Sequence, residues 1–102
     1  MPTHNVIRNE ADGRFEIHLD DGTVAFADYR PMHGKVMFPH TVVPPHHEGQ
    51  GIGSALAKAS LDWAREQGLQ VIPACSFYAN YMKRHPEVQD LLDPGFRKAL
   101  GV

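Results

Sequence analysis

Three glycines alternate with other residues just before the longest helix-forming stretch of the sequence, in the segment HHEGQGIGSALAKA from His46 to Ala59. Glycine weakens a helix and costs extra conformational entropy on folding, so this spacing needs a reason other than helix formation. The first turn of a helix has backbone N–H groups without intrahelical partners, and its dipole adds positive potential. A loop stripped of side chains there is suited to phosphate, and Gly49, Gly51 and Gly53 would let such a ligand approach.

Two common phosphate-binding loops do not fit this spacing. The P-loop requires a Lys followed by Ser or Thr after its last glycine, whereas Gly53 is followed by Ser54 and Ala55. The dinucleotide fingerprint G-x-G-x-x-G needs its third glycine one residue later than it stands here. The glycines therefore predict an anion site of another type.

A strand on each side of a helix would position this loop. Residues 35–44 are apolar and β-branched but contain Pro39, which predicts a strand with an irregularity. Residues 69–75 resume strand composition after the helix, so strand, helix and strand form a βαβ unit with parallel strands.

The helix between those strands is predicted from a repeating apolar face that ends at Gly68, giving about four turns. The residues of this face are Ile52, Leu56, Ala59 and Trp63.

The N-terminal part predicts a strand at His4–Asn9 and a hairpin of residues 14–20 and 23–29 around Asp21-Gly22. No helix pattern appears between these strands. Residues 77–85 predict a short helix ending before Pro86, followed by a weakly amphipathic tail broken at Pro94-Gly95. The predicted fold class is α/β (α+β): a mixed, mostly antiparallel sheet of about five strands, a long amphipathic helix and a splayed parallel strand pair.

Composition limits the possible functions. The 102 residues, 42% of them hydrophobic, predict a single domain spanning residues 1–102. A net charge of -2 argues against nucleic acid and anionic membrane as partners. The single cysteine, Cys75, excludes an internal disulfide and fits a reducing compartment. The sequence has no apolar run of about 18 residues, which crossing a bilayer would require. A cytoplasmic protein is therefore expected.

The segment VPPHHEGQGIGSAL resembles the acyl-CoA-binding segment of the GNAT superfamily of N-acetyltransferases, V-x-P-x-x-[R/Q]-G-x-G-[I/L/V]-[G/A]. The residues that match in register are Val43, Pro45, Gly49, Gly51, Ile52 and Gly53. The flanking segments HTVVPP and PACSFYANYMKRHPE are similar to a small, single-domain subgroup with a Cys and an Arg-His-Pro-Glu pattern. The resemblance covers roughly His40 to Glu87.

The resemblance implies that acetyl-CoA places its pyrophosphate on the N–H groups of residues 49–54 and pairs its pantetheine with the backbone of residues 41–43. The cofactor-binding residues implied in this way are Thr41, Val42, Val43, Glu48, Gly49, Gln50, Gly51, Ile52, Gly53, Ser54, Asn80, Tyr81 and Arg84. For Asn80 and Arg84, an ordinary solvated helix surface is the alternative. Glu48 departs from the family pattern, which has Arg or Gln there, so its carboxylate either faces solvent or weakens binding.

Three side chains are candidates for the chemistry of acetyl transfer. Many members of the superfamily use a Glu on the central strand as the base, but HTVV has none, and His40 is the nearest titratable group unless it is structural. Tyr81, with Tyr78 as its competitor, matches the tyrosine that commonly protonates the CoA thiolate. Cys75 could accept the acetyl group or could be inert packing.

No metal site is expected, because the seven histidines include no H-E-x-x-H motif and only one Cys is present. The adjacent rings of His46 and His47 are expected to diverge. The resemblance implies an acetyl-CoA-dependent N-acetyltransferase that acts on an amine of a small molecule or a protein. The alternative is an acyl-CoA-binding module with little or no catalytic activity.

Overall fold

The computed structural model describes residues 4–102. Its first sheet begins with an antiparallel meander of β1 (Ile7–Asn9), β2 (Arg14–His18) and β3 (Val24–Asp28). A short strand from later in the chain, β6 (Thr41–Val42), pairs antiparallel with β3 and forms one edge of this sheet. The predicted first strand and hairpin are therefore confirmed, and no helix occurs in the described chain before residue 45.

The second sheet consists of β4 (Arg30–Met32), β5 (Lys35–Met37) and β7 (Gln70–Ile72). β4 and β5 form a tight hairpin that the sequence patterns did not indicate. β5 and β7 run parallel, as the βαβ pattern predicts.

The strand predicted at residues 35–44 is divided between the two sheets, because β5 belongs to the second sheet and β6 to the first. The interruption lies around Pro39, where an irregularity was expected. Phe38 is the last residue joined to the second sheet: its N–H donates to the Ile72 carbonyl, and its carbonyl accepts from the Cys75 N–H, both at 3.0 Å. Beyond this point the chain turns toward β3, so β6 and β7 part and leave an opening between them.

The long helix, α1 (Ile52–Glu66), has the predicted length of about four turns. Its fully buried residues are Ile52, Leu56, Ala57, Ser60, Leu61 and Ala64. Ala59 and Trp63, which the periodicity placed at the centre of the apolar face, are only half-buried at its margin. The face is broader than predicted because α1 packs against β2 and β3 and also against the second helix, α2 (Ser76–Arg84).

The C-terminal part continues with a 3₁₀ segment (Pro86–Leu91) and α3 (Pro94–Leu100). The break expected at Pro94-Gly95 is the beginning of α3, since Asp93 caps this helix by accepting from the Gly95 N–H at 3.1 Å. Leu92 forms a parallel bridge to Val71, which ties the tail to β7.

These elements confirm the predicted fold class, a mixed α+β fold with a mostly antiparallel arrangement, a long helix and a parallel pair that separates. The strands differ in detail from the prediction of about five in one sheet: residues 4–102 contain seven short strands, divided between two sheets. None of the helices in the described residues combines the length and hydropathy that crossing a bilayer requires.

Candidate functional site

A groove of about 560 Å³ lies where β6 leaves β7 and meets the beginning of α1. Its lining residues are Thr41, Val42, Val43, Glu48, Gly49, Gly51, Ile52, Gly53, Ser54 and Phe77. One wall is therefore β6, the floor is the glycine loop with the first turn of α1, and the far side comes from α2. Most of the residues that the sequence assigned to cofactor binding line this one groove.

The N-terminus of α1 opens into this groove without a side-chain cap. The N-cap is Gly51, and the first helical hydrogen bond runs from the Ala55 N–H to the Gly51 carbonyl at 3.0 Å. The N–H groups of residues 52–54 precede that bond, so they have no acceptor inside the helix. Together with the helix dipole, they supply hydrogen-bond donors and positive potential for an anion.

Gly49 and Gly51 both adopt left-handed backbone conformations, with φ of 82° and 76°. Such conformations are unfavourable for residues that carry a Cβ, so the path of the loop into α1 depends on these glycines. No atom lies within 4 Å of the position that a Cβ would occupy at either residue, so the space beside them is open. The loop thus combines exposed backbone with free space, as the phosphate hypothesis requires.

The third glycine has a packing role that the sequence did not indicate. A Cβ at Gly53 would lie 2.8 Å from Cζ of Phe77, which is closer than carbon atoms can approach without displacement. Gly53 therefore lets α2 pack against the first turn of α1. Gly53 also lines the groove itself, next to the aromatic ring that forms one side.

Four of the residues predicted to bind the cofactor do not line the groove. Gln50 faces away from it and accepts a hydrogen bond from His47 Nδ1 through its side-chain oxygen, at 3.0 Å. Asn80 and Arg84 are exposed on α2, where the Arg84 Nε donates to the Asn80 carbonyl. Tyr81 is buried, only 7% exposed, and is not among the lining residues.

Glu48 lines the groove and is exposed, so the departure from the family pattern places a carboxylate on its rim. None of the lining residues is a Lys or an Arg. Recognition of an anion by the lining residues therefore rests on uncharged donors, the backbone N–H groups and the hydroxyls of Thr41 and Ser54, with the Glu48 charge opposing it.

Cys75 and Thr41 meet at the point where the two strands part. The Thr41 Oγ1 lies 3.3 Å from the Cys75 Sγ, and the thiol is half-buried. Cys75 is also the N-cap residue of α2, so its position is fixed by both the strand end and the helix. The predicted nucleophile candidate is thus next to the groove, where it contacts a residue of the groove wall.

His40 lies on the loop before β6 and is largely exposed, with 70% of its side chain accessible. Its Nδ1 is 3.6 Å from the Asp28 Oδ2, and its carbonyl accepts from the Asp28 N–H at 2.9 Å. The imidazole is therefore near a carboxylate, beyond hydrogen-bond distance, and is accessible to solvent. Either the predicted base or the structural alternative is compatible with this geometry.

The two tyrosines of α2 have different environments. Tyr78 is fully buried, its ring stacks on Phe38, and its hydroxyl lies 2.7 Å from the Ser60 Oγ, which makes it a core residue. Burial raises the pKa of Tyr78 above its ordinary range. Tyr81 stacks on His85 at 4.0 Å between ring centroids, and burial, then the nearby Glu87 charge, raises its pKa.

Next to the loop that leads to the groove lies an unexpected cluster of three side chains. His46 and His47 belong to that loop, and Asp21 comes from the turn between β2 and β3. The two histidines lie on a 3₁₀ turn (Pro45–His47), and both Nε2 atoms contact the same Oδ2 of Asp21, that of His47 at 2.9 Å. The expectation that adjacent rings diverge was wrong. Hydrogen bonds from the Thr23 hydroxyl and then from His46 hold the pKa of Asp21 well below its usual range.

Sequence reasoning missed Phe77 and this cluster. Phe77 sits in the segment FYANYMKRH, where it stands out only once α2 is known to face the first turn of α1. Asp21 was recognised only as a turn residue, and 25 positions separate it from His46. No local pattern could have joined them.

Comparison with known proteins agrees with this geometry. Residues 14–91 match the family model described as GCN5-related N-acetyl-transferase. Over 52 residues, 51% of this chain, it is 40% identical to Protein NATD1 of Gallus gallus and of Mus musculus. The chain spans about half of the length of these relatives, 47% in each case.

Among solved structures, the chain resembles a GCN5-like protein of Staphylococcus aureus, assigned to the N-acetyltransferases and determined in solution by NMR. The TM-score is 0.71 at 27% sequence identity, and the match covers 91% of each chain. The family match extends over most of the chain and includes the groove, the glycine loop and α2. This chain therefore belongs to the GCN5-related N-acetyltransferase family.

Proposed function

We propose that this protein is an acetyl-CoA-dependent N-acetyltransferase that transfers an acetyl group to a primary amine. The observation that carries the proposal is the uncapped N-terminus of α1, which opens into the groove next to a free strand edge. Backbone N–H groups of residues 52–54 would bind the pyrophosphate of CoA. The family assignment supports acetyl-CoA as the ligand.

The edge strand β6 supports the binding of pantetheine. β6 pairs with β3 on one side only, and its other side faces the groove. Its free backbone donors and acceptors could pair with the two amides of pantetheine as a further strand would. A pantetheine bound in this way would bring the thioester toward Thr41 of the wall and toward Cys75, which contacts it.

Acetyl transfer joins the amine nitrogen to the acetyl carbon and breaks the bond between that carbon and the CoA sulfur. The amine must lose a proton, and the departing thiolate must gain one. His40, exposed and near the Asp28 carboxylate, is the candidate for accepting the amine proton. Tyr81, whose raised pKa keeps the phenol protonated at neutral pH, is the candidate for donating a proton to the thiolate.

Cys75 is suited to a second role, because its Sγ is fixed near the thioester position by the Thr41 hydroxyl. It could take the acetyl group as an intermediate or pack against it. These two roles make different predictions, since only an acetyl intermediate would appear as a mass increase on Cys75 when no amine is supplied.

The alternative is an acyl-CoA-binding module with little or no turnover. Two observations favour it: β6 has no carboxylate that could act as a base, and Glu48 opposes the binding of an anion.

The enzyme and the binding module can be distinguished by measuring release of the CoA thiol from acetyl-CoA with a panel of small amines and lysine peptides. We expect turnover with at least one amine, a clear loss of kcat in Tyr81→Phe and retention of CoA binding in that variant. Saturable binding of CoA without turnover for any amine would support the module and refute the enzyme.

A further inference from the structure

The cluster of Asp21, His46 and His47 has the composition of a metal site. Asp21 lies in the turn between β2 and β3, and the histidines lie on the 3₁₀ turn that leads into the glycine loop. One carboxylate oxygen and two imidazole nitrogens from these residues all lie within 4.8 Å of one another. For a tetrahedral zinc ion, neighbouring ligand atoms are about 3.3 Å apart, so small side-chain rotations would complete the geometry.

The side chains around the cluster orient its ligand atoms. The Asp21 Oδ1 accepts from the Thr23 hydroxyl at 2.6 Å and from the Thr23 N–H at 3.0 Å, which leaves Oδ2 for the cluster. The Gln50 Oε1, an acceptor, lies 3.0 Å from His47 Nδ1, so this nitrogen carries a proton. Nε2 also faces an acceptor, the Asp21 Oδ2, so without a metal it donates a proton there; a bound ion would displace that proton and use the Nε2 lone pair, while Nδ1 still donates to Gln50. Such outer contacts commonly fix the ligands of protein metal sites.

The cluster is also accessible to an ion from solution. The side-chain exposures are 60% for His46, 17% for His47 and 37% for Asp21. With three protein ligands, one position of a tetrahedral ion would remain for water. The exposed carboxylate of Asp20 adds negative charge next to the site.

Ligand chemistry selects the class of ion. Two imidazoles and one carboxylate suit zinc and its first-row divalent neighbours, whereas calcium and magnesium prefer sites made entirely of oxygen. In the described structure, both imidazoles contact one carboxylate oxygen, and each contact requires a proton on the imidazole nitrogen. A divalent ion bound there would replace these protons.

We propose that Asp21, His46 and His47 form a binding site for a divalent transition-metal ion, with Zn²⁺ as the best-matched ion. The bound ion would join the β2–β3 turn to the loop that precedes Gly49. The site is independent of the proposed acetyl transfer, since none of its three ligands lines the groove.

Titration of the full chain with Zn²⁺ in a non-coordinating buffer tests this proposal, by calorimetry and by thermal unfolding. We expect one ion per chain and a higher melting temperature in its presence. Asp21→Asn and His47→Gln should each lower the affinity at least tenfold. Gln50→Ala keeps all three ligands but frees the His47 ring, so it should weaken binding by about tenfold.

Two histidine variants serve as controls. His33→Gln removes an exposed histidine from the β4–β5 turn, and His4→Gln removes one that contacts the Gln50 carbonyl but is not among the three ligands. Both should bind Zn²⁺ as the parent does. Unfolding without metal shows whether each variant is folded. No heat at millimolar Zn²⁺, or equal affinity in the parent and in folded Asp21→Asn and His47→Gln, would overturn the proposal.

Discussion

Substitution of Gly51 by valine should abolish the response of the protein to CoA. Gly51 has a φ of 76° and lines the groove, and the position of its absent Cβ is in open space. A branched side chain there would occupy the space next to the N–H groups of residues 52–54. We therefore expect a specific loss of ligand binding in addition to a cost in backbone conformation.

A matched control separates the loss of stability caused by the backbone conformation from the loss of ligand binding. Gly34, in the β4–β5 turn, has a φ of 73° and also has no atom within 4 Å of a Cβ, but it lies outside the groove. A residue with a side chain in this conformation loses about 2 kcal/mol. Both Gly51→Val and Gly34→Val should therefore melt at a lower temperature than the parent, by roughly 8–16 °C.

Thermal unfolding with and without CoA then isolates the effect on the ligand. At a CoA concentration about 100 times the Kd, the parent gains about 2.7 kcal/mol, a rise of roughly 11–22 °C. Gly34→Val should keep this rise, and Gly51→Val should lose it. If Gly51→Val does not fold, Gly51→Ala provides a smaller change with the same expectation in direction. A rise in the folded Gly51 variants equal to that of Gly34→Val would refute the role of the loop.

Three further predictions concern other parts of the structure. Glu48→Gln removes the carboxylate on the rim of the groove and should tighten CoA binding by about two- to fivefold in calorimetry, whereas weaker binding would show that Glu48 contributes a favourable contact. Gly53→Ala should be more destabilising in the parent than in a Phe77→Ala background, by about 1–2 kcal/mol in urea unfolding, and additive effects would contradict the close packing. Glu16 is buried, and burial by itself raises its pKa, but hydrogen bonds from Arg14 and others outweigh this effect and hold the pKa below its usual value. The ionised carboxylate therefore stabilises the fold above the pKa of the unfolded chain. This stabilisation is lost as the pH falls through the lower pKa of the folded chain. Glu16→Gln should therefore be less stable than the parent at pH 7 by about 1–2 kcal/mol and should approach it in acid, and a constant difference at all pH values would contradict the ionised network.

The elements with strong local patterns could be predicted from the sequence. α1 has enough turns for its apolar period to indicate a helix and its length, and the β2–β3 hairpin combines alternation with the Asp21-Gly22 turn. The parallel pairing of β5 and β7 follows from the βαβ order.

The features that depend on tertiary structure could not be predicted in this way. Pro39 indicates an interruption, but only the pairing partners decide that the chain changes sheet there. The glycine pattern cannot distinguish a glycine that leaves room for a ligand from Gly53, which leaves room for Phe77. The β4–β5 hairpin is too short, with three residues in each strand, to show a period.

In the candidate site, too, local patterns could be predicted from the sequence and features that depend on tertiary structure could not. The predicted wall and glycine-loop residues line one groove, because they belong to one continuous segment with a known motif. Asn80, Tyr81 and Arg84 are not among the lining residues, and whether a residue of α2 faces the groove depends on the rotation of α2 about its axis. A shift of one residue along a helix turns a side chain by about 100°, and the sequence does not fix that angle.

The most direct test of the account is a titration of the isotopically labelled protein with CoA, followed through its backbone amide resonances. Binding of the pyrophosphate at the beginning of α1 predicts that the largest shifts occur at residues 49–54 and that pantetheine, which lacks the pyrophosphate, leaves most of these resonances in place. Saturating CoA without shifts at the amides of residues 49–54, or equal shifts with pantetheine alone, would contradict it.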